Sequence, residues 1–241
     1  MCGRYVSAST IDELVERYAV DSVVVDEPLP PRWNVAPTDP VYVVAAGRSG
    51  ERRLGTMRWG LVPSWARDRS GAARMINARA ETVAVKPAFR RALTRRRCVL
   101  PADSFWEWRV AGRGRQPYAI HRRGGPLAFA GLWDAWRDPA QPANPPVRTA
   151  AIVTTSANDS LRHIHERMPV VLDAAAASTW LDPRVEDPGA LLPLLLPAPD
   201  DGWESWPVGP RVNAVANDGP ELLEPLAGPE WPAPDWEPGG P

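Results

Sequence analysis

Lysine is almost missing from this chain of 241 residues: Lys86 is the only one, so arginine is the working cation. Cysteine occurs twice, at Cys2 and Cys98, and two cysteines make no disulfide framework. Histidine occurs three times, and no Cys/His cluster has zinc spacing. No glycine-rich phosphate loop follows a strand-like stretch. Neither a metal nor another cofactor is therefore expected. No apolar run approaches the ~18 residues of a membrane span, so no membrane partner is expected. The N-terminus lacks a basic stretch followed by an apolar core, so it does not read as a signal peptide. The default is a reducing cytoplasm with free thiols.

Apolar content is 44% and charged content 24%, the balance of an ordinary folded domain, and the net charge of -1 points to no partner. The distribution of charge says more. Residues 52–97 carry thirteen basic side chains against Asp68 and Glu81, while residues 182–241 carry twelve carboxylates against Arg184 and Arg211. The basic middle reads either as a surface for an anionic ligand or as solvated arginines from a composition bias.

Thr10 and Glu13 form a capping box, and Ile11, Leu14, Val15 and Tyr18 repeat at helical spacing up to about residue 19. "PLPPRWNVAPTDP" is too rich in proline for a helix or a central strand and reads as an ordered loop. Strands are predicted over 41–46, 53–60, 117–122, 127–133 and 149–157. Short helices are predicted over 173–181, with Asp173 as N-cap, and over 187–196. "WESWPVG" and "RVNAVAN" read as late short strands. Crossover helices are too few for a parallel sheet, so the prediction is one antiparallel-rich α+β domain over 2–226 with peripheral helices. Residues 227–241, Pro-rich and acidic, read as a disordered tail.

Several constellations carry chemistry. In "MCGRY" a small side chain follows the initiator, so trimming of Met1 would leave Cys2 with a thiol and a free α-amine on one carbon skeleton. "INARAET" places Asn77, Arg79 and Glu81 on alternate residues, one face of a strand, which is either a solvated face or a functional one. In "FWEW", Glu107 stands between Trp106 and Trp108; it is either desolvated and suited to proton transfer or turned to water. "HIHERMP" holds two of the three histidines, His163 and His165, which are either structural or a proton shuttle. Most of the twelve tryptophans read as packing; Trp65 and Trp108 are candidates for stacking on nucleobases.

Taken in order, "MCGRY", "RWNVAP", "WGLVPSWA", "INARAET", "CVLPADSFWEW", "TTSAN", "HERMPVVL" and "VNAVANDGPELLEP" resemble the SRAP family, the SOS response-associated peptidases or abasic-site processing proteins. The resemblance covers roughly residues 2–226. It implies a barrel-like α+β domain that binds single-stranded DNA and crosslinks to abasic sites, acting as a monomer and gathering at the nucleoid during repair. Carried over residue by residue, the catalytic set is Cys2, Asn77, Glu107 and His165, and the DNA-binding set is Arg4, Arg79 and Arg167, to which the stacking candidates Trp65 and Trp108 are added. Trp106 stands where tyrosine or phenylalanine is commoner in the family.

The implied chemistry suits these groups. An α-amine ionises near ~7.7–8.0, so a usable fraction is neutral at cellular pH, unlike lysine at ~10.4. It condenses with the ring-opened aldehyde of an abasic site, and the thiol then closes a five-membered thiazolidine. A lyase-type outcome, and self-cleavage that removes Met1, belong to the same reading. N-terminal-nucleophile amidohydrolases also open Met-Cys-Gly, but their G-H-x-R-W loop and Asn-Gly oxyanion segment are missing here. A thiol peptidase acting on other proteins is a further alternative, as is a non-catalytic single-stranded DNA clamp.

Overall fold

The apolar stretches become strands that assemble into two sheets in the computed structural model, which describes residues 2–226. The tail expected over 227–241 lies outside the described residues. In chain order the strands are β1 (Arg4–Ser7), β2 (Ser22–Val24), β3 (Arg32–Val35), β4 (Pro40–Ala46), β5 (Arg52–Trp59), β6 (Asn77–Arg79), β7 (Arg97–Ala102), β8 (Ser104–Ala111), β9 (Gly114–Arg122), β10 (Leu127–Trp136), β11 (Val147–Ser156), β12 (Arg167–Pro169) and β13 (Trp203–Pro207). The helices are α1 (Ile11–Tyr18), α2 (Arg90–Arg95), α3 (Asp159–Arg162), α4 (Ala174–Leu181) and α5 (Pro188–Leu191).

One sheet is antiparallel throughout, in the order β13-β9-β8-β1-β3. In the other, five strands close on themselves. β4 pairs β5, β5 pairs β11 in parallel, β11 pairs β10, β10 pairs β7, and β7 returns to β4. The closing register sets Thr149 opposite Arg58 and Ala150 opposite Trp59. β6 and β12 extend β11, and β2 runs parallel along β5. The class is thus α+β, with a barrel-like core and mostly antiparallel pairing, as the sequence predicts.

Alternation along β4 divides the interior. Val41 and Val43 join the cluster that holds Cys2, Tyr5, Trp59 and Phe129. Tyr42 and Val44 face the opposite cluster, where α1, α2 and α4 deliver Leu14, Leu93 and Trp180. Full burial of a side chain such as Leu93 or Phe129 contributes about 1.5–3 kcal/mol. Gly60 ends β5 with φ of +124°, and a Cβ there would stand 2.7 Å from the Ala72 carbonyl oxygen. That close approach lets the chain after β5 fold back while the Gly60 N–H donates to Ala150 O at 2.8 Å.

The Thr10–Glu13 capping box is present and starts α1. Asp173 caps α4 as expected. Other expectations change. The proline-rich loop contains β3: the four residues "RWNV" hold no proline and lie at the sheet edge, where one hydrogen-bonded neighbour suffices. "RVNAVAN" is not a strand. Its start is a 3₁₀ turn over Pro210–Asn213, and the carbonyls of Val212, Ala214 and Asn217 all accept from the Asn34 side chain instead of a strand. The segment 187–196 splits into α5 and a 3₁₀ turn over Leu192–Leu195. In "INARAET" only Asn77–Arg79 is strand, and Glu81 lies in the turn beyond it.

Candidate active site

Cys2 lies two residues before the start of β1 and is fully buried. β1 is an inner strand between β3 and β8, with Tyr5 opposite both Val35 and Phe105. Side chains alternate along β8, so Phe105 and Glu107 share one face and Trp106 and Trp108 the other. Phe105 packs in the Cys2 cluster, while Trp106 and Trp108 pack with Val6, Trp206 and Val212 on the far side. Glu107 is therefore directed to the Cys2 side, and it is only 3% exposed. Of the two readings of Glu107 the buried one holds, although the flanking tryptophans face away from it.

Asn77 reaches the same place from the barrel. β6 runs parallel to β11 with Asn77 opposite Ile152, and its Nδ2 donates to the Cys2 carbonyl at 2.8 Å. Its Oδ1 is buried and accepts no hydrogen bond among the described residues. Burial pushes the Cys2 thiol far up from its ordinary range, and the nearby Glu107 carboxylate adds to the rise. Tyr5, in the same cluster, has a buried hydroxyl that is likewise pushed up, by burial first and then by Cys2, Asp39 and Asp103.

His165 comes from the segment that follows β11. Asn158 caps α3 by accepting from Leu161 N, while its amide donates to Ala198 O at 3.0 Å, which pins the helix to the chain ahead of β13. His165 N then donates to Leu161 O at 3.2 Å. Its Nδ1 accepts from the Arg167 backbone N–H at 2.9 Å. A neutral ring held this way carries its proton on Nε2. His163 stands edge-on to Tyr118, the residue opposite Glu107 on β9. Cys2, Asn77 and Glu107 are thus brought together. His165 lies two residues before β12, which pairs with β11, the strand that also carries β6 and Asn77.

The expected DNA-binding residues divide in two. Arg79 is exposed at the end of β6, and Trp65 is 67% exposed. The other three are engaged within the chain. Arg167 binds both Glu81 oxygens, at 2.8 and 3.1 Å, and Thr154 O at 2.7 Å. Arg4 donates to Asn34 Oδ1 at 2.8 Å and Val212 O at 3.0 Å, with its guanidinium 6.0 Å from the Trp108 ring. Trp108 donates to Asn213 Oδ1 at 2.7 Å. Cys98 is fully buried in β7.

Two residues that frame the site were not singled out from sequence. Asn34, with no exposed surface, ties β3 to 212–217 and orients Arg4. Buried Thr154 accepts from Arg167. Their signals were in plain view, as the asparagine of "RWN" and the threonines of "TTSAN", yet a polar residue inside an apolar stretch does not declare its partner. Among the described residues, no group of three or more His, Cys, Asp or Glu side chains could hold a metal.

A buried thiol, a buried carboxylate and an amide that holds the thiol's own backbone thus meet beside β1 on an α+β barrel. Residues 1–215 match the family model described as SOS response associated peptidase (SRAP), and the chain belongs to that family. It is 40% identical over 226 residues to abasic site processing protein YoqW of Bacillus subtilis, covering 93% of this chain and 99% of that one. It is 31% identical to abasic site processing protein YedK of Escherichia coli, covering 94% and 100%. Among solved structures, a protein from Bacteroides thetaiotaomicron has the same fold, with a TM-score of 0.81 at 23% identity over 94% of this chain and all of the other.

Proposed function

We propose that this protein processes abasic sites in single-stranded DNA by forming a covalent thiazolidine crosslink through Cys2 after Met1 is removed. The observation that carries this reading is the convergence of Asn77 and Glu107 on Cys2. The relatives' names supply the substrate class. While Met1 is attached, the Cys2 nitrogen is an amide; its removal leaves an α-amine. That amine condenses with the sugar aldehyde, releasing one water and leaving a C=N bond. The thiol then adds across it: a C–S bond forms, and the thiol proton ends on nitrogen.

A thiol pushed up by burial supports this order, with the amine attacking first and the thiol second. It also favours crosslinking over a thiolate-dependent peptidase. Glu107 is the acid–base group at the amine. Asn77 fixes the Cys2 backbone and offers its buried Oδ1 to the product. His165 offers an Nε2–H to the sugar oxygen. Arg79 and Trp65 take the flanking phosphate and base, and Arg4, Arg167 and Trp108 shape the walls. β-Elimination from the imine gives a lyase route, and self-cleavage before Cys2 accounts for the peptidase in the family name. The working unit is residues 2–226, a monomer in the cytoplasm that acts at the nucleoid.

The test is the intact mass of the protein after incubation with single-stranded DNA carrying one abasic site. A species of the Met1-free chain plus the oligonucleotide less one water is expected. An unchanged mass, with the N-terminus already free, overturns the proposal.

A further inference from the structure

The basic middle of the sequence does not gather around Cys2. Arg79 lies near Asn77, but Arg53, Arg91, Arg95 and Arg96 gather with Arg48 around α2 and the β4–β5 turn. There they line an open groove of about 1120 Å³ between the β4–β5 turn, α2 and the linker after α4. Three of the five are anchored by acids: Arg53 by Glu51, Arg95 by Glu186 at 2.8 Å, and Arg96 by Asp134. The side chains of Arg48 and Arg91 make no ion pair among the described residues, and both are exposed. Burial and the like charge of Arg91 together make the Arg96 guanidinium harder to keep charged. The groove holds more positive charge than its own acids offset.

The groove's lining includes none of Cys2, Asn77, Glu107 and His165. Val41 and Val43 face the Cys2 cluster, whereas Ala46, which lines the groove, and the Ala92 and Leu93 of α2 belong to the opposite cluster. Of the groove's lining, Trp133 alone also packs against the Cys2 cluster.

We propose that this groove is a second nucleic-acid contact, which holds backbone phosphates of DNA whose abasic site is engaged at Cys2. The inference rests on the DNA-binding reading above. Guanidinium groups suit phosphate because their fork matches two oxygens at once. Recognition here is of backbone and not bases, since the Trp133 ring is already covered by Arg96, 5.4 Å from its centroid. A strand must run beyond the Cys2 site to touch both places. Only DNA longer than the Cys2 site can do so.

The test compares the wild type with the double variant Arg48→Ala/Arg91→Ala, neither residue having a role at Cys2. Binding of unmodified single-stranded DNA is followed by fluorescence anisotropy across a salt series. One oligonucleotide has about 5 nucleotides, at the low end of single-strand site sizes, and the other is several times longer. On the long DNA the log–log salt slope of the variant should be shallower by about 1.4, two phosphates at about 0.7 each. On the short DNA the two proteins should agree, and an Arg48→Lys/Arg91→Lys variant should keep the wild-type slope. An unchanged slope on long DNA overturns the groove. Equal losses on both lengths overturn its separateness. Calorimetric binding of inorganic tripolyphosphate with no slope change would assign the groove to a small anion and overturn the nucleic-acid reading. Crosslinking of a short abasic oligonucleotide is measured in parallel. Its failure in the wild type sinks the thiazolidine proposal alone, because the salt slope needs no abasic site.

Discussion

Cys2 and Cys98 are both fully buried, both free, and both pushed up by burial. They share the Cys2 cluster. The difference lies in their neighbours. Cys98 sits inside β7 opposite Gly131 and Ala45, and a Cβ built on Gly131 would come within 2.9 Å of its Sγ. It fills space against backbone and apolar side chains. Cys2 has a carboxylate beside it, a side-chain amide on its carbonyl, and a nitrogen that one cleavage turns into an amine. Burial alone makes an inert thiol; reactivity comes from the groups that supply a second nucleophile and move protons.

The sharpest way to break this comparison is to remove the second nucleophile and leave the thiol. A chain extended by one uncleavable residue before Cys2 should lose abasic-site crosslinking to background while keeping its fold, and Cys2→Ala should match it. Mass spectrometry reads both. Full crosslinking through Cys2 in the extended chain would mean that the thiol acts without the amine. Next in size is the proton-moving group. Glu107→Gln should slow adduct formation by about 10²–10⁴-fold, the usual worth of general acid–base catalysis. Borohydride trapping should capture less imine at early times, because condensation at the amine is the step assigned to Glu107. A loss below tenfold would remove Glu107 from the chemistry.

Cys98→Ala tests the other half. Removing a buried sulfur from a packed strand should cost about 1–2 kcal/mol in denaturant unfolding and leave the crosslinking rate unchanged. A crosslinking defect in folded Cys98→Ala protein would erase the distinction between the two thiols.

Much of this contrast was legible in the sequence because it depends on local facts. Cys2 is conspicuous by position, Cys98 by its apolar strand, and the capping box of α1 and the N-cap of α4 by spacing. What stayed hidden was long-range. Nothing in "FWEW" tells which face of β8 meets Cys2; that is settled by the pairing of Arg4 with Trp106. Nothing in "RWN" says that Asn34 will collect three carbonyls from 212–217. The basic middle looked like one surface because its arginines are close in sequence, yet Arg79 ends β6 while Arg53, Arg91, Arg95 and Arg96 line the groove by α2. The proximity of His165 and Arg167 suggests charge repulsion. In the structure Arg167 gives its charge to Glu81 and acts on His165 through its backbone N–H.

The smallest expected effect is one in which the two thiols behave alike. Each has its folded pKa raised, so the folded protein holds the thiol proton more tightly than the unfolded chain does. An unfolded cysteine ionises near ~8.5. Below that pH both states carry the proton, and the thiols contribute their full share to stability. As pH rises above it, only the unfolded state ionises, and unfolding becomes easier by up to ~1.4 kcal/mol per pH unit for each buried thiol. Between pH 8.5 and 10 the unfolding free energy of the wild type should therefore fall more steeply than that of Cys98→Ala, and Cys2→Ala should flatten the curve by a similar amount. Tyrosines add to the slope in the upper part of this window, since Tyr5 and Tyr18 are also pushed up, so the difference between wild type and each variant is the quantity to read. If the two variants flatten the curve unequally, with Cys2→Ala having the smaller effect, then the Cys2 thiol ionises more readily in the folded chain than Cys98. The inertness ascribed to its burial would then be wrong, and a thiolate would already be present before any imine forms.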